Sequence, residues 1–460
     1  MSKNGRLDFE LDDRIEESLI TGHAGVPLVI ELFRASGAAV EMDKQVRVKQ
    51  RSRGLSVSQT AESLFALWSA GGDRCEDLKR LGQDQALEVL LGHPICPATT
   101  ARDFLERFHE EDLPLLQSGA SSGVREETQS LEGLGATNRQ LLSWAQQRTT
   151  EATATLDVDA SIYETGKRSV QPTYEGSTGY QPVSVIWAEK DLIVADEFRD
   201  GNVPAHSGNW RVIEKALGQL PEGITQIRLR ADSALYEHEV LRKLDGKKIG
   251  YAISAIMRPE LAAAIREIPE GSWALLNQEK DAVRQWAEVL FVPDDRDYRK
   301  HGPVTRRYLV IRILKLQGSL FEDGTDRRHF AVVTNLDWAG DEIIRWHRLK
   351  AGTVEHVHDV MKNELAAGCF PSGKFGANAA WFRLNAMLYN LLSLLKRETL
   401  PGELHTAKPK RLRFVLLNTV GTIVRHARET LLRVSTAIVK TLYDRARIAI
   451  QVKAPSLIGV

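Results

Sequence analysis

The chain has 460 residues, and its 61 Lys and Arg residues balance 61 Asp and Glu residues, so the net charge indicates no particular partner. Hydrophobic residues make up 43% and charged residues 27% of the sequence, which is typical of globular proteins and excludes a disordered or collagen-like chain. The longest apolar runs, such as residues 388–395, are far shorter than a membrane span, so no membrane partner is expected.

The start of the chain and its cysteines both favour a cytoplasmic protein. The first segment, MSKNGRLDFELDDRIEESL, is acidic and polar, and it lacks the basic and apolar parts of a targeting peptide. Cys75, Cys96 and Cys369 lie far apart and form no CxxC pair. Neither a disulfide framework nor a cysteine zinc site is therefore predicted.

Residues 1–150 combine a basic segment with a series of short predicted helices. The basic segment consists of Lys44, Arg47, Lys49, Arg51 and Arg53. Apolar residues then recur at helical spacing over 56–108, and breaks at 71–72 and 92–94 divide them into three or four helices of the size found in helix-turn-helix modules. A surface linker over 117–129 and a helix over 134–148 follow. The pattern predicts a helical DNA-binding region, with a solvated helix face as the alternative for the basic residues.

In the middle of the chain the spacing of apolar residues changes from the helical period to the strand period of two. Within residues 151–257, strands are predicted at 155–164, 180–189, 192–198, 224–234 and 249–256, with helices at 210–220 and 237–244. Further strand patterns mark 258–335 as a β-rich insertion, and helices resume over 336–397. The last region, 398–460, is predicted to be helical, with a helix rich in Leu and Val from Arg411 to Arg447 that suits either dimer or DNA contacts. It is also basic, since the stretch from Lys396 onward has 13 Lys and Arg against 4 Asp and Glu. These patterns predict a mixed α/β fold.

Three carboxylates stand out by their predicted positions. Asp157 and Asp159 alternate along the first strand and face the same side, although strand interiors normally avoid Asp, and Asp232 follows a strand directly. The carboxyl end of a strand is where ligands bind in open α/β sheets. Glu355 is predicted near the start of a helix capped by Thr353, on one face with His358, Asp359 and Lys362. The commoner role for each acid taken alone is helix capping or ion pairing.

A cluster of Asp159, Asp232 and Glu355 would contain only oxygen ligands. Mg²⁺ prefers such ligands and completes its shell with water and phosphate oxygens. Two ions about 4 Å apart would activate a water or a 3′-hydroxyl and stabilise the leaving 3′-oxygen. The cluster thus suits phosphodiester cleavage and transfer, with Mn²⁺ as the expected substitute for Mg²⁺.

The segments LDVDAS, IRLRADSALY and KAGTVEHVHDVMKNELAAG, followed by FGANAAWFRLNAMLYNLLSLLKR, resemble the catalytic blocks of bacterial insertion-sequence DDE transposases. The resemblance implies an RNase H-like core formed by 151–257 and 336–397 and interrupted by the insertion. It implies catalytic and metal-binding roles for Asp159, Asp232 and Glu355, and a DNA contact for Lys362. Relatives usually carry a Tyr and an Arg before the Glu, whereas this chain offers Arg348 and Lys350, which we assign to DNA.

The resemblance implies cut-and-paste transposition in the bacterial cytoplasm. A homodimer would bind terminal inverted repeats of double-stranded DNA, cleave the ends of the element and join them to target DNA. The basic segment from Lys44 to Arg53 would contact the repeat. Where relatives pass through a DNA hairpin, an aromatic residue can hold a flipped base. Trp273, Trp286 and Trp338 are candidates by residue type, although packing in the core is the commoner role of each.

Other functions are less consistent with the residues. His356 and His358 lack HEXXH order and point to different helix faces, so zinc is not expected, and the glycine-containing segments lack the GxxxxGK[ST] pattern of a nucleotide site. Two alternatives to a transposase stay open. One is an RNase H-like nuclease or resolvase without strand transfer, and the other is a transposase-derived repressor that binds DNA without cutting it.

Overall fold

The computed structural model describes residues 19–49, 53–116, 123–167, 170–280, 282–293, 296–315, 327–426 and 429–452. One hydrophobic core runs from the N-terminal helices through the central sheet to the C-terminal helix. No helix in these ranges is long and apolar enough to cross a membrane.

The N-terminal region is helical, as the sequence predicts. It contains β1 (Ile20–Thr21), α1 (Val26–Ala35), α2 (Ala38–Gln45), α3 (Val57–Ala70), α4 (Leu78–Leu81), α5 (Gln85–Leu91) and α6 (Ala98–Glu106). Helix α3 begins with a capping box, in which the Ser56 hydroxyl accepts from the Gln59 amide and the Gln59 side chain accepts from the Ser56 amide. It ends at Gly71, whose φ of 107° favours glycine. The predicted breaks are thus the ends of α3 and α5.

A short hairpin and a long helix connect this region to the sheet. They are β2 (Leu115–Leu116), β3 (Val124–Arg125) and α7 (Gln129–Arg148). Helix α7 begins five residues before the predicted position because the Thr128 hydroxyl accepts from the Leu131 amide and caps it. Part of the predicted linker, 117–122, lies outside the described residues.

The core strands and helices follow in alternation. They are β4 (Thr153–Ala160), β5 (Tyr163–Glu164), β6 (Gly179–Tyr180), β7 (Val183–Trp187), β8 (Leu192–Glu197), α8 (Asn209–Gln219), β9 (Gln226–Ala231), α9 (His238–Gly246) and β10 (Gly250–Ser254). The sheet order is β8-β7-β4-β9-β10, in which β4, β9 and β10 are parallel and β7 and β8 are antiparallel to their neighbours. The mixed α/β fold that the sequence predicts is thus confirmed, whereas this strand order was not predicted.

The β-rich insertion extends the same sheet. It contains α10 (Pro259–Arg266), β11 (Ala274–Gln278), β12 (Ala282–Phe291), α11 (Arg296–His301), β13 (Arg306–Lys315) and β14 (Arg327–Thr334). Strand β14 pairs with the edge of the core at β10, so four insertion strands and five core strands form one nine-stranded sheet. A second apolar cluster between this extension and the following helix includes Ile311, Val332 and Ile344.

Helices α12 (Gly340–Asn363) and α13 (Phe375–Leu394) complete the core. Helix α12 lies against β4, β9 and β10. Helix α13 is buried along its whole length, and its Trp381 ring contacts the Trp68 ring of α3 edge to face at 4.7 Å. The N-terminal helices therefore pack directly on α13 of the core rather than forming a detached module.

The C-terminal region departs from the prediction of a continuous helix from Arg411 to Arg447. It contains α14 (Pro409–Leu412), β15 (Gly421–His426), β16 (Glu429–Val434) and α15 (Ala437–Gln451). Strand β15 pairs with both β16 and β1. The segments GTIVRH and ETLLRV form strands because β-branched and apolar residues there follow a period of two, and the Thr436 hydroxyl starts α15 by accepting from the Val439 amide.

Candidate active site

Asp159 and Asp232 lie side by side at one edge of the sheet. The parallel register pairs Asp157 with Arg230 and Val158 with Ala231, so the next residue after each last pair is Asp159 near the end of β4 and Asp232 directly after β9. Because parallel strands end at the same edge, the two carboxylates are brought to one place by backbone pairing alone.

Asp157, the acid that precedes Asp159 on the same face, is held by a buried arginine. Arg230 donates from Nε to Asp157 Oδ1 and from Nη2 to Oδ2, each at 2.7 Å, and it donates from Nη1 to the Trp346 carbonyl at 2.7 Å. Burial raises the pKa of Asp157, while Arg230 opposes that rise. This pair joins two core strands to α12, so Asp157 has a structural role beside Asp159.

Asp159 contacts two side chains of α12. The Lys350 Nζ donates to Asp159 Oδ1 at 2.7 Å, and the His358 Nε2 lies 3.2 Å from Asp159 Oδ2. Burial alone would raise the pKa of Asp159, but His358 and Lys350 outweigh it and lower that pKa. Lys350, which the sequence assigns to DNA, is only 8% exposed and faces the sheet.

Asp232 is exposed and caps the short helical turn that follows β9. Its Oδ1 accepts from the Ala234 amide at 2.9 Å. The preceding carbonyl, on Ala231, accepts from His347 Nε2 at 3.0 Å. Burial lowers the pKa of His347 to about 4, so the ring is neutral near pH 7 and locks α12 onto the end of β9. Sequence analysis did not identify this role of His347.

Glu355 lies on α12 between Lys350 and His358, the two residues that contact Asp159. Its side chain is exposed. The predicted helix start at Thr353 is wrong, because α12 begins at Gly340 and the Thr353 hydroxyl donates to the Leu349 carbonyl within the helix.

The other two predicted DNA contacts on α12 point in different directions. The Lys362 Nζ lies 5.0 Å from the centre of the Tyr163 ring. Partial burial lowers the pKa of Lys362, opposed by Glu175, Asp159 and Glu164, so its ammonium lies in the field of Asp159. The Arg348 side chain is exposed. Partial burial of its guanidinium and the nearby positive charge of Arg284 lower its pKa. It therefore lies beside the insertion strands.

The N-terminal basic segment is packed against the protein over much of its length. Val46 and Val48 are buried, so Arg47 between them points outward. Lys44 is exposed at the end of α2, and the Lys49 Nζ donates to the Leu55 carbonyl at 2.6 Å. No ion pair or hydrogen bond among the described residues joins this segment to the three carboxylates. Arg53 is exposed, and Arg51 lies outside the described residues.

An exposed tyrosine near the carboxylates was missed by sequence analysis. Tyr174 is 75% exposed at the tip of the β5–β6 hairpin. The tip is closed by hydrogen bonds from the Thr173 amide to the Ser177 carbonyl at 2.7 Å and from the Gly176 amide to the Thr173 carbonyl at 3.1 Å. Gly176 has a φ of 86°, which favours glycine. The signal in the sequence is the turn pattern TYEGS.

The Tyr174 phenol lies in the electrostatic field of the two strand-end acids. Partial burial and Glu175 raise its pKa, and the negative charges of Asp232 and Asp159 add to the rise. The hairpin therefore presents an aromatic ring beside the candidate site.

The three tryptophans considered for base flipping are packed. The Trp286 ring lies against Gly340, where an added Cβ would approach it to 2.2 Å. Trp338 contacts Trp346 edge to face at 5.4 Å, and the Arg228 guanidinium lies 4.5 Å from the centre of the Trp338 ring. The Arg312 guanidinium lies 4.2 Å from the centre of the Trp273 ring.

Carboxylate oxygens are ligands that divalent cations prefer, and the Asp159 carboxylate already binds one cationic group, the Lys350 ammonium. In the ranges that the structure describes, no three His, Cys, Asp or Glu side chains are close enough together to hold a metal ion. The structure thus aligns the elements that carry Asp159, Asp232 and Glu355 without drawing the three carboxylates together.

Comparison with known proteins places the chain in a family. No curated protein is significantly similar to it in sequence. The cryo-EM structure of piggyBac transposase in a synaptic complex with hairpin DNA is similar over 93% of this chain and 80% of that chain, with 9% identity and a TM-score of 0.39. The family model described as transposase DDE domain group 1 matches residues 18–452. Since this match spans nearly the whole sequence, the chain belongs to that family of DDE transposases.

Proposed function

We propose that the protein is a cut-and-paste transposase of a bacterial insertion sequence. In this proposal a homodimer binds the terminal inverted repeats, cleaves DNA at the ends of the element and joins the freed 3′-hydroxyls to target DNA. The observation that supports the proposal is the register of β4 and β9, in which Asp159 and Asp232 follow the last paired residues, together with α12, which carries Glu355 and packs against both strands.

Asp159, Asp232 and Glu355 are the residues that would hold Mg²⁺, with Mn²⁺ as a substitute. Bound there, the cations supply an activated water or 3′-hydroxyl and stabilise the leaving 3′-oxygen. Lys362 and the exposed Arg348 extend from the same helix and suit contacts with DNA phosphates. Arg348 has the planar fork that binds two phosphate oxygens at once, whereas Lys362 acts as a point charge.

Recognition of the repeat is assigned to residues 1–150. Lys44, Arg47 and Arg53 are exposed there and are suited to phosphate contacts, whereas Lys49 is engaged with the Leu55 carbonyl. Binding to phosphates releases counterions, so binding of the repeat should weaken steeply as salt rises. The region 398–460 would add either DNA contacts or dimer contacts through its exposed basic residues.

The proposal is tested by incubating the protein with a labelled DNA end taken from the sequence that flanks its gene, in Mg²⁺ or Mn²⁺, together with an unlabelled target plasmid. Cleavage at the repeat boundary followed by joining to the plasmid is the expected result. Cleavage without joining would indicate the nuclease or resolvase. Binding without cleavage in either metal would indicate the repressor and would overturn the proposal.

Tyr174 is expected to stack on a DNA base next to the cleaved phosphate. Base stacking on an aromatic ring contributes about 1–3 kcal/mol, so Tyr174→Ala should slow cleavage about tenfold. Tyr174→Phe keeps the ring and should cleave at nearly the wild-type rate. Single-turnover cleavage would be measured together with the fluorescence of 2-aminopurine placed beside the cleavage position.

Loss of the stacking residue should change the 2-aminopurine signal of the bound complex in Tyr174→Ala and not in Tyr174→Phe. Equal cleavage rates and equal fluorescence for all three proteins would show that the tyrosine does not contact the DNA.

A further inference from the structure

The carboxylate of Asp159 already has a cationic partner within the protein. The Lys350 Nζ is 2.7 Å from Asp159 Oδ1, and His358 Nε2 is 3.2 Å from Oδ2. The side chains of Lys350 and Asp159 are 10% and 18% exposed. Both oxygens of Asp159 are therefore contacted from α12, and a metal ion that uses Asp159 as a ligand has to replace at least one of these contacts.

The charges along this part of the sheet are balanced without a metal. Arg230 neutralises Asp157, and Lys350 neutralises Asp159. A divalent cation bound to Asp159 would lie next to the Lys350 ammonium in a partly buried place, where repulsion between like charges is poorly screened. The ammonium and the metal ion consequently compete for the same carboxylate.

The side chain of a lysine is flexible enough to move away from a carboxylate partner such as Asp159. Its charge is carried at the end of a flexible chain of four carbons, whereas an arginine of similar reach would form a planar and more rigid pair with the carboxylate. The Lys350 side chain is 10% exposed, so part of it already contacts solvent.

We propose that Lys350 is the counter-ion of the metal-free active site and that a divalent cation displaces it from Asp159. Lys350 is thus a positioning residue, which holds the Asp159 carboxylate in place before metal binds and lowers the affinity of the site for metal. This inference rests on the proposed function in one respect, the role of Asp159 as a metal ligand.

Lys350→Met tests the competition, because methionine retains the apolar stem and removes the charge. Mn²⁺ binding to the full chain without DNA would be titrated by electron paramagnetic resonance, and the unfolding midpoint would be measured with and without Mg²⁺. A charge coupling of this kind should make Lys350→Met bind Mn²⁺ about tenfold more tightly than the wild type. Its metal-free form should unfold at a lower temperature than the metal-free wild type, and Mg²⁺ should raise its unfolding midpoint by more than that of the wild type.

Three further variants make the result specific. Lys350→Arg keeps the charge and should bind Mn²⁺ no more tightly than the wild type. Lys374→Met removes a lysine from an exposed pair with Glu106 and should leave Mn²⁺ affinity unchanged. Asp159→Asn should abolish the binding event that Lys350→Met strengthens. If Lys350→Met does not fold, Lys350→Gln replaces it, since its amide can donate to Asp159 without charge.

Equal or weaker Mn²⁺ binding by Lys350→Met would overturn the inference, provided that Asp159→Asn loses binding. Retention of Mn²⁺ binding by Asp159→Asn would instead overturn the assignment of Asp159 as a metal ligand, and the inference with it. DNA cleavage is absent from this experiment, so a failure of the transposase proposal would be seen separately in the cleavage and joining assay.

Discussion

Asp232→Asn is expected to slow cleavage of the DNA end by a factor of at least about 10³, because loss of a carboxylate ligand removes several kcal/mol of transition-state stabilisation. Binding of the inverted repeat should stay within about twofold of the wild type, since cleavage and repeat recognition use different groups. Single-turnover cleavage and a mobility-shift assay in Ca²⁺ would measure the two properties on the same DNA.

This substitution suits the test because the fold makes little use of the negative charge. Asp232 is exposed, and its recorded hydrogen bond is from the Ala234 amide to Oδ1, which the amide oxygen of asparagine can also accept. Asp159→Asn would be less clean, because it also breaks the ion pair with Lys350. A lower unfolding midpoint is therefore not expected for Asp232→Asn.

The matched control is Asp341→Asn. Asp341 is an acid at the start of α12 that pairs with Arg345 on the helix surface, far along the helix from Glu355. It should cleave at the wild-type rate, since exposed ion pairs contribute at most about 1 kcal/mol. Cleavage at the wild-type rate by Asp232→Asn would show that Asp232 is not a catalytic residue. The ends of β4 and β9 would then no longer account for catalysis.

The core strands follow from local sequence. The strand pattern before Asp232 ends at that acid, whereas the pattern around Asp159 was predicted to continue to 164 and β4 ends at Ala160, so the common end of the two parallel strands became visible only in the structure. The nine-stranded sheet was less predictable, because the pairing of β14 with β10 joins residues about 80 positions apart that no local pattern connects. The insertion was predicted as strands but not as an extension of the core sheet.

The partners of the acids could not be predicted, because they depend on tertiary packing. Lys350 is 191 residues from Asp159 in sequence, and its position among exposed residues of α12 resembles that of a DNA contact. The helix start was misjudged at Thr353 because a Thr followed by a Glu resembles a cap, whereas the apolar pattern of α12 extends back to Ile343. In the C-terminal region, short amphipathic strands were mistaken for one basic helix.

Arg383→Met is expected to destabilise the protein by about 3–5 kcal/mol, which is the effect of leaving buried carboxylates without their partner. Arg383 is 3% exposed on α13, and it donates to both oxygens of Asp196 on β8 and to both oxygens of Glu127 before α7. It also donates to the Leu131 carbonyl at 2.8 Å. One guanidinium thus ties the N-terminal region, the sheet and α13 together.

The size of this effect should depend on pH. Burial alone would raise the pKa of Glu127, but Arg383 and Lys215 outweigh it and hold that pKa well below its usual range. A carboxyl group whose pKa is depressed by folding adds stability above its unfolded pKa, about 4.3, and this stability is lost as the pH falls through the folded value. In Arg383→Met, burial should outweigh the remaining attraction of Lys215 and raise the pKa of Glu127. The variant should therefore take up a proton at Glu127 when it folds.

The difference in unfolding midpoint between the wild type and Arg383→Met should therefore narrow as the pH falls from 7.5 to 5. Thermal unfolding followed by circular dichroism across this range would measure it. Lys440→Met is the matched control, because its exposed pair with Asp444 on α15 should contribute less than about 1 kcal/mol at any pH. A difference that stays constant with pH would mean that Arg383 stabilises the protein through packing of its side chain and not through its charge.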